Sequence, residues 1–247
     1  MLTIQKRAKF IVYLLFQEYS LSTIGGFLNK RSQKVQSYFH RSAKEFDRLY
    51  HETGSFSYFL NRLFRRALYQ RAESAVQEIL QCGAKSVLDV GSGSGINAVL
   101  FAQNGVQNVI GVDYAQGMVD LAISKRPPEL ASCVSYIQAD FLTWESLDAK
   151  FDCVVALGVF DYLDLPDIFL KKMISCAQKK VLFSVPKKGG LRFFQRSLRY
   201  RLKNCPIYFY SKLQLEDLMI TYTTSFKIID VGSSSFLCVL DLEQCEA

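Results

Sequence analysis

The chain has 247 residues, 49% of them hydrophobic, which is enough for one large α/β domain with appended helices and a sizeable core. Its net charge of +7 admits an anionic partner, but the excess is local, since residues 187–203 carry seven Lys or Arg and no acid. Seven cysteines without a CxxC pair and two distant histidines, His40 and His51, argue against a disulfide framework and against a metal site, and they point to reduced thiols in a cytoplasmic protein.

Residues 6–16 (KRAKFIVYLLF) place a basic start before an apolar run, but Gln17 and Glu18 follow at once. The run is far short of the roughly 20 apolar residues of a membrane span. A docked helix is the reading, with peripheral membrane contact through residues 1–30 or 186–210 as the alternative. In residues 36–50 (QSYFHRSAKEFDRLY) aromatic residues recur at helical spacing, and a second helix is predicted over 58–81, with Leu68, Ala72, Val76 and Ile79 on one face. These helices either pack on the domain as core or fold Tyr38 and Tyr50 over a ligand. Residues 1–70 are therefore read as a helical lid and 71–247 as the main domain.

Residues 86–90 (SVLDV) read as a buried parallel strand. A loop follows with glycine at every second position, Gly91, Gly93 and Gly95, then a helix over Ile96–Gln103. Glycine lets a ligand lie against bare main chain, and the helix turns its free N–H groups toward the loop. The spacing differs from the G-x-G-x-x-G of dinucleotide sites, and Asp89 puts a carboxylate at the mouth. A carboxylate repels a pyrophosphate and attracts an ammonium, so the ligand predicted is a nucleoside bearing a cationic amino-acid tail.

From here strands and helices alternate, which predicts a doubly wound parallel sheet. A strand over 109–112 ends at Asp113, placed to accept from ribose hydroxyls. A helix over 115–125 stops at Pro127 and Pro128. A third strand, 134–138, runs into Asp140 and Phe141, suited to the amine and the ring face of an adenine. The fourth, 151–157, leads to Gly158, Phe160, Asp161 and Tyr162. A helix over 166–178 and a strand over 180–185 follow. Residues 186–210 then interrupt the pattern with basic and aromatic side chains. A helix over 213–220 resumes it, and strands 226–231 and 236–242 close as an antiparallel hairpin.

The stretches VLDVGSGSG, VIGVDYAQGMVDLA, YIQADF and FDCVVALGVFDYL resemble, in order, motifs I to IV of the class I S-adenosylmethionine-dependent methyltransferases. That resemblance covers about residues 71–242. It implies a Rossmann-like seven-stranded sheet with an antiparallel last strand, S-adenosylmethionine as cofactor and S-adenosylhomocysteine as product. The cofactor residues implied are Arg71, Asp89, Gly91, Ser92, Gly93, Gly95, Asp113, Tyr114, Met118, Asp140, Phe141, Leu157 and Gly158.

Within that superfamily the chain resembles the small-molecule O-methyltransferases of ubiquinone type. In that family an arginine twenty residues ahead of the first glycine meets the cofactor carboxylate, and Arg71 stands there. YFHRSAKEFDRLY is similar to a segment of the magnesium-protoporphyrin methyltransferases. The Glu-His pair of the ubiquinone type is Asp161-Tyr162 here, so that family's base or metal chemistry does not carry over; Asp161 and Tyr162 are the candidate catalytic residues by location, at the carboxyl edge of the sheet.

The acceptor expected is a small or medium hydrophobic, anionic molecule under a cap formed by 186–210. Tyr38, Tyr50, Phe160, Phe194 and Tyr208 are the candidate substrate residues. An RNA methyltransferase and a non-catalytic S-adenosylmethionine-binding protein are the alternatives. Against nucleic acid stands the absence of an Asn-Pro-Pro-Tyr or Asp-Pro-Pro-Tyr signature after the fourth strand.

Overall fold

A computed structural model describes residues 69–144, 150–189, 193–194, 197, 200, 206–232 and 234–242. Tyr38, Tyr50 and nearly all of the expected lid lie outside the described residues. Helix α1 is described over residues 69–81. After it come β1 (Ser86–Val90), α2 (Ile96–Gln103), β2 (Asn108–Asp113), α3 (Gln116–Lys125), β3 (Val134–Gln138), β4 (Phe151–Leu157), α4 (Pro166–Cys176), β5 (Ala177–Pro186), α5 (Lys212–Met219), β6 (Phe226–Val231) and β7 (Ser235–Asp241). Among the described residues no helix is long and apolar enough to cross a membrane.

The seven strands form one sheet in the order β3-β2-β1-β4-β5-β7-β6. Pairings from β3 through β5 are parallel, and β7 lies antiparallel between β5 and β6. Strand order reverses between β1 and β4, so the crevice beyond their carboxyl ends is where such a sheet takes a ligand.

Alternation along the strands splits the core into two layers. Leu88, Val90, Val154, Phe183 and Leu240 face Phe169, Leu170 and Met173 of α4 and Leu215 of α5. Val87, Val109, Val155, Leu182 and Val239 face Ala75 and Ile79 of α1 and Phe101 of α2. Asp89 belongs by alternation with Val87, so its carboxylate points to the layer that holds the starts of α1 and α2.

One boundary differs from the sequence reading. The helix expected to reach residue 178 ends at Cys176, because Ala177 already pairs with Phe151 and opens a ten-residue β5. Local helical pattern yields there to a sheet register that extends past the apolar run.

Helix α1 is tied to the far edge of the sheet by charge. Glu78, 6% exposed, accepts from Lys180 Nζ of β5 at 2.7 Å and from Lys227 Nζ of β6 at 3.1 Å, and Lys180 also reaches Asp241 at 3.4 Å. Burial alone would raise the Glu78 carboxyl; the two ammonium groups outweigh it and hold the group below its ordinary 4.5. A depressed carboxylate stabilises the fold above the unfolded-state value and loses that contribution as pH falls through the folded value. The melting temperature should therefore hold steady above about pH 4.5 and fall below it. Glu78→Gln should lower the plateau and flatten part of the acid limb; an unchanged acid limb in a pH series of thermal melts would count against this network.

Candidate functional site

The turn after β1 is built on backbone bonds and one carboxylate. Gly91 N–H and Ser92 N–H donate to Val112 O at 2.7 and 3.2 Å, which folds the loop back over the end of β2. Asp113 Oδ2 accepts from Gly93 N–H at 2.8 Å and Oδ1 from Ala115 N–H at 2.9 Å. One side chain at the end of β2 thus fixes both the glycine loop and the entry to α3. Burial raises the Asp113 carboxyl, and these two bonds oppose the rise.

Asp89 is the group without local compensation. It is wholly buried, and neither carboxylate oxygen has a hydrogen-bond partner among the described residues. Burial, with Asp113 as a second cause, pushes it from the ordinary 3.8 up to about 7. A carboxylate held in this state is a strained acceptor that a cation would relieve. Ser92 Oγ, 5% exposed, is likewise without a partner there. Helix α2 opens on Gly95, which contributes no capping side chain, so its first N–H groups face the same cradle.

Close approach explains the glycines at two positions. A Cβ on Gly91 would lie 2.4 Å from Val159 Cγ2, because the loops after β1 and β4 touch across the crevice. A Cβ on Gly95 would meet Tyr136 Oη at 2.3 Å and Ala122 Cβ at 2.9 Å.

Tyr136 is the residue that sequence reasoning missed. Asp89, Gly111 and Tyr136 are aligned in register across β1, β2 and β3. With no side chain at Gly111, the Tyr136 ring crosses that position and its hydroxyl donates to Gly95 O at 3.2 Å. Burial, together with Asp89, raises this phenol to about 12. The available signal was a glycine inside an otherwise apolar strand, which marks close approach of a neighbour.

The remaining predicted residues separate into two groups. Arg71 arrives from α1 beside the β4 turn, its Nη2 3.4 Å from where a Cβ on Gly158 would be, and Gly158 N–H donates to Ser184 Oγ at 2.9 Å. Met118 and Leu157 are buried next to the cradle elements, and Tyr114 is partly buried at the end of β2. Asp140 is exposed and accepts from Leu142 N–H at 3.0 Å.

Two of the predicted aromatics are buried against other rings. Phe141, 5% exposed, is packed against Phe169 at 5.0 Å with the Lys172 ammonium 5.4 Å from its ring. Phe160, 0% exposed, stacks on Phe183 at 4.2 Å and belongs to the core rather than to a pocket wall. Both sit beside polar turns in the sequence, and α4 and β5 bury them from behind.

Asp161 is 3% exposed and its carbonyl accepts from Tyr208 N–H at 2.8 Å. Tyr162 and Tyr200 hydroxyls are 2.8 Å apart, and Tyr208 Oη donates to Asp164 Oδ1 at 2.5 Å. The described parts of 186–210 therefore close on the turn after β4. Phe194 is 67% exposed and meets Phe193 edge-on.

A family profile described as a methyltransferase domain matches residues 87–180, from β1 into β5. Those residues form a methyltransferase domain, and the matches together support the class I S-adenosylmethionine-dependent superfamily. A protein of Geobacillus sp. (strain WCH70) described as a methyltransferase is 28% identical over 152 residues, covering 60% of this chain and 58% of that one. Magnesium-protoporphyrin O-methyltransferase of Rhodobacter capsulatus is 32% identical over 111 residues, covering 44% and 48%. The chain thus spans about half the length of the curated relatives it matches. The crystal structure of magnesium protoporphyrin IX methyltransferase from Synechocystis PCC 6803 with bound S-adenosylhomocysteine superposes with a TM-score of 0.69, at 20% identity, over 85% of this chain and 99% of that chain. At that identity the likeness establishes the methyltransferase fold.

Proposed function

We propose that this protein binds S-adenosylmethionine in the cradle between β1 and β4 and transfers its methyl group to an oxygen of a hydrophobic, anionic small molecule. The observation that carries the cofactor half is Asp89, a buried carboxylate without a hydrogen-bond partner among the described residues, beside a glycine loop and an uncapped helix start. In this reading Asp89 meets the ammonium of the amino-acid tail and Arg71 its carboxylate. The N–H groups at the start of α2 and Ser92 Oγ line the same end. Asp113 keeps acceptor capacity for ribose hydroxyls beyond its two backbone bonds, because an ionised carboxylate has about four lone-pair sites.

Bound S-adenosylmethionine supplies a methyl group already activated on a sulfonium, so the chain's task is to hold an acceptor in line with it and exclude water. An ionised carboxylate acceptor needs no general base. In that case Asp161 and Tyr162 act by placing the acceptor at the turn after β4, with Tyr200 and Tyr208 closing over it. The name of the Rhodobacter relative supports an O-methyl acceptor of this chemical class.

Asp113→Ala removes one charge-assisted bond from the glycine loop and one from the entry to α3. Each is worth about 1.5–3 kcal/mol, so cofactor affinity should drop on the order of tenfold or more. Equilibrium binding by the variant, compared with wild type at one pH, checks this; equal affinities would show that the loop does not depend on Asp113.

The acceptor is tested by transfer of label from methyl-labelled S-adenosylmethionine into fractionated cell extract. Label is expected in the small, organic-soluble anionic fraction. Label confined to RNA or to protein would overturn the acceptor class while leaving the cofactor site intact.

A further inference from the structure

Away from the cradle, where α1 ends over β4, two thiols face each other. Cys82 lies in the turn after α1 and is partly exposed, while Cys153 on β4 is 0% exposed. Their sulfurs are 3.5 Å apart. We propose that Cys82 and Cys153 form a redox modification site, in which a hydroperoxide oxidises Cys82 and Cys153 then closes a disulfide onto it.

The two sulfurs have unequal surroundings, and each fits a different role. Cys82 Sγ also donates to Ile79 O at 3.2 Å, and its own carbonyl accepts from Lys179 Nζ at 3.2 Å. Lys179 is paired with Asp152 at 3.5 Å, and Lys180, the other cation near the pair, is held by Glu78 and Asp241. The hydrogen bond from Cys153 holds the Cys82 thiol below its ordinary value against the opposing effect of burial, with Lys180 and Lys179 adding to the lowering. The same contact, followed by burial, drives the Cys153 thiol up. Cys82 is the sulfur of the pair that meets solvent, as an attacking thiol must. Cys153 is shielded from solvent and positioned to resolve.

The chemistry balances with peroxide as the oxidant. The Cys82 thiolate attacks one peroxide oxygen, an S–O bond forms, the O–O bond breaks, and the departing oxygen takes a proton to leave as water or alcohol. Sulfur is oxidised to a sulfenic acid and the peroxide is reduced. The Cys153 thiol then attacks that sulfur: an S–S bond forms, the S–O bond breaks, and the Cys153 proton leaves with the hydroxide as water. Bonding distance for a disulfide is about 2.05 Å, so the sulfurs need to approach by about 1.5 Å. A turn at the end of a helix is better placed to supply that shift than the buried strand. Closure would bond the end of α1, the helix that carries Arg71, covalently to β4.

The test is a peptide map of the full-length protein after exposure to hydrogen peroxide and trapping of remaining thiols with N-ethylmaleimide. A linked pair of peptides containing Cys82 and Cys153 is expected, reversed by dithiothreitol. In Cys153→Ser the disulfide should vanish and Cys82 should instead take dimedone, the reagent for sulfenic acid. Cys82 and Cys153 both alkylated as in untreated protein would overturn the proposal, as would a disulfide joining Cys82 to any other cysteine. The wild-type map decides the matter even if the variant does not fold.

Discussion

Asp89→Asn is expected to weaken S-adenosylmethionine binding on the order of thirtyfold or more and to abolish its pH dependence near neutrality. The magnitude follows from removing one member of a buried charge pair, which costs about 2–5 kcal/mol. The pH dependence follows from the free protein, where burial and Asp113 push Asp89 up to about 7. An ammonium partner needs the carboxylate, so binding below that value must release a proton. Affinity should then rise with pH, by about tenfold per unit well below 7. It should level off as pH passes about 7 and fall above the pKa of the ligand's own α-amino group, about 7.7–8.0, where the ammonium is lost. Calorimetry from pH 5.5 upward, repeated in two buffers of different ionisation enthalpy, measures both the slope and the proton count. A flat wild-type profile with no proton release would mean that Asp89 does not meet the cation.

Gly95→Val should destabilise the domain by about 2–6 kcal/mol, combining about 1–3 for a non-glycine residue at positive φ with about 1–3 for overpacking. The backbone there has φ 78°, and the new Cβ would strike the Tyr136 hydroxyl and Ala122. Gly93→Ala is the control, because φ is also positive at 53° but no atom lies within 4 Å of the added Cβ. It should cost only the backbone share. Urea midpoints for the two variants separate the effects, and equal losses would remove the steric role assigned to Tyr136.

Much of the sheet was legible because its strands are short β-branched runs separated by strong punctuation. Pro127 and Pro128 end α3, Pro166 opens α4, and the glycine loop divides β1 from α2. The antiparallel β6–β7 hairpin followed from a turn only a few residues long between two apolar runs. The cradle was legible where a backbone requirement writes itself into sequence: glycines where side chains would collide, and acids at successive strand ends. What could not be read was lateral. Gly111 and Tyr136 look unrelated along the chain, and only the β2–β3 register sets the ring over the missing side chain. The packing of Phe141 and Phe160 is lateral in the same way, since what lies behind each ring depends on what α4 and β5 put there.

The cradle beyond β1 and β4 is expected to take a cationic nucleoside rather than a dinucleotide. Isothermal titration of the wild-type chain near pH 7.5 with S-adenosylmethionine, and separately with NAD, tests it most directly. Saturable one-to-one binding of S-adenosylmethionine is expected, lost or sharply weakened in Asp89→Asn, with no binding of NAD. Binding of NAD with indifference to S-adenosylmethionine would contradict it.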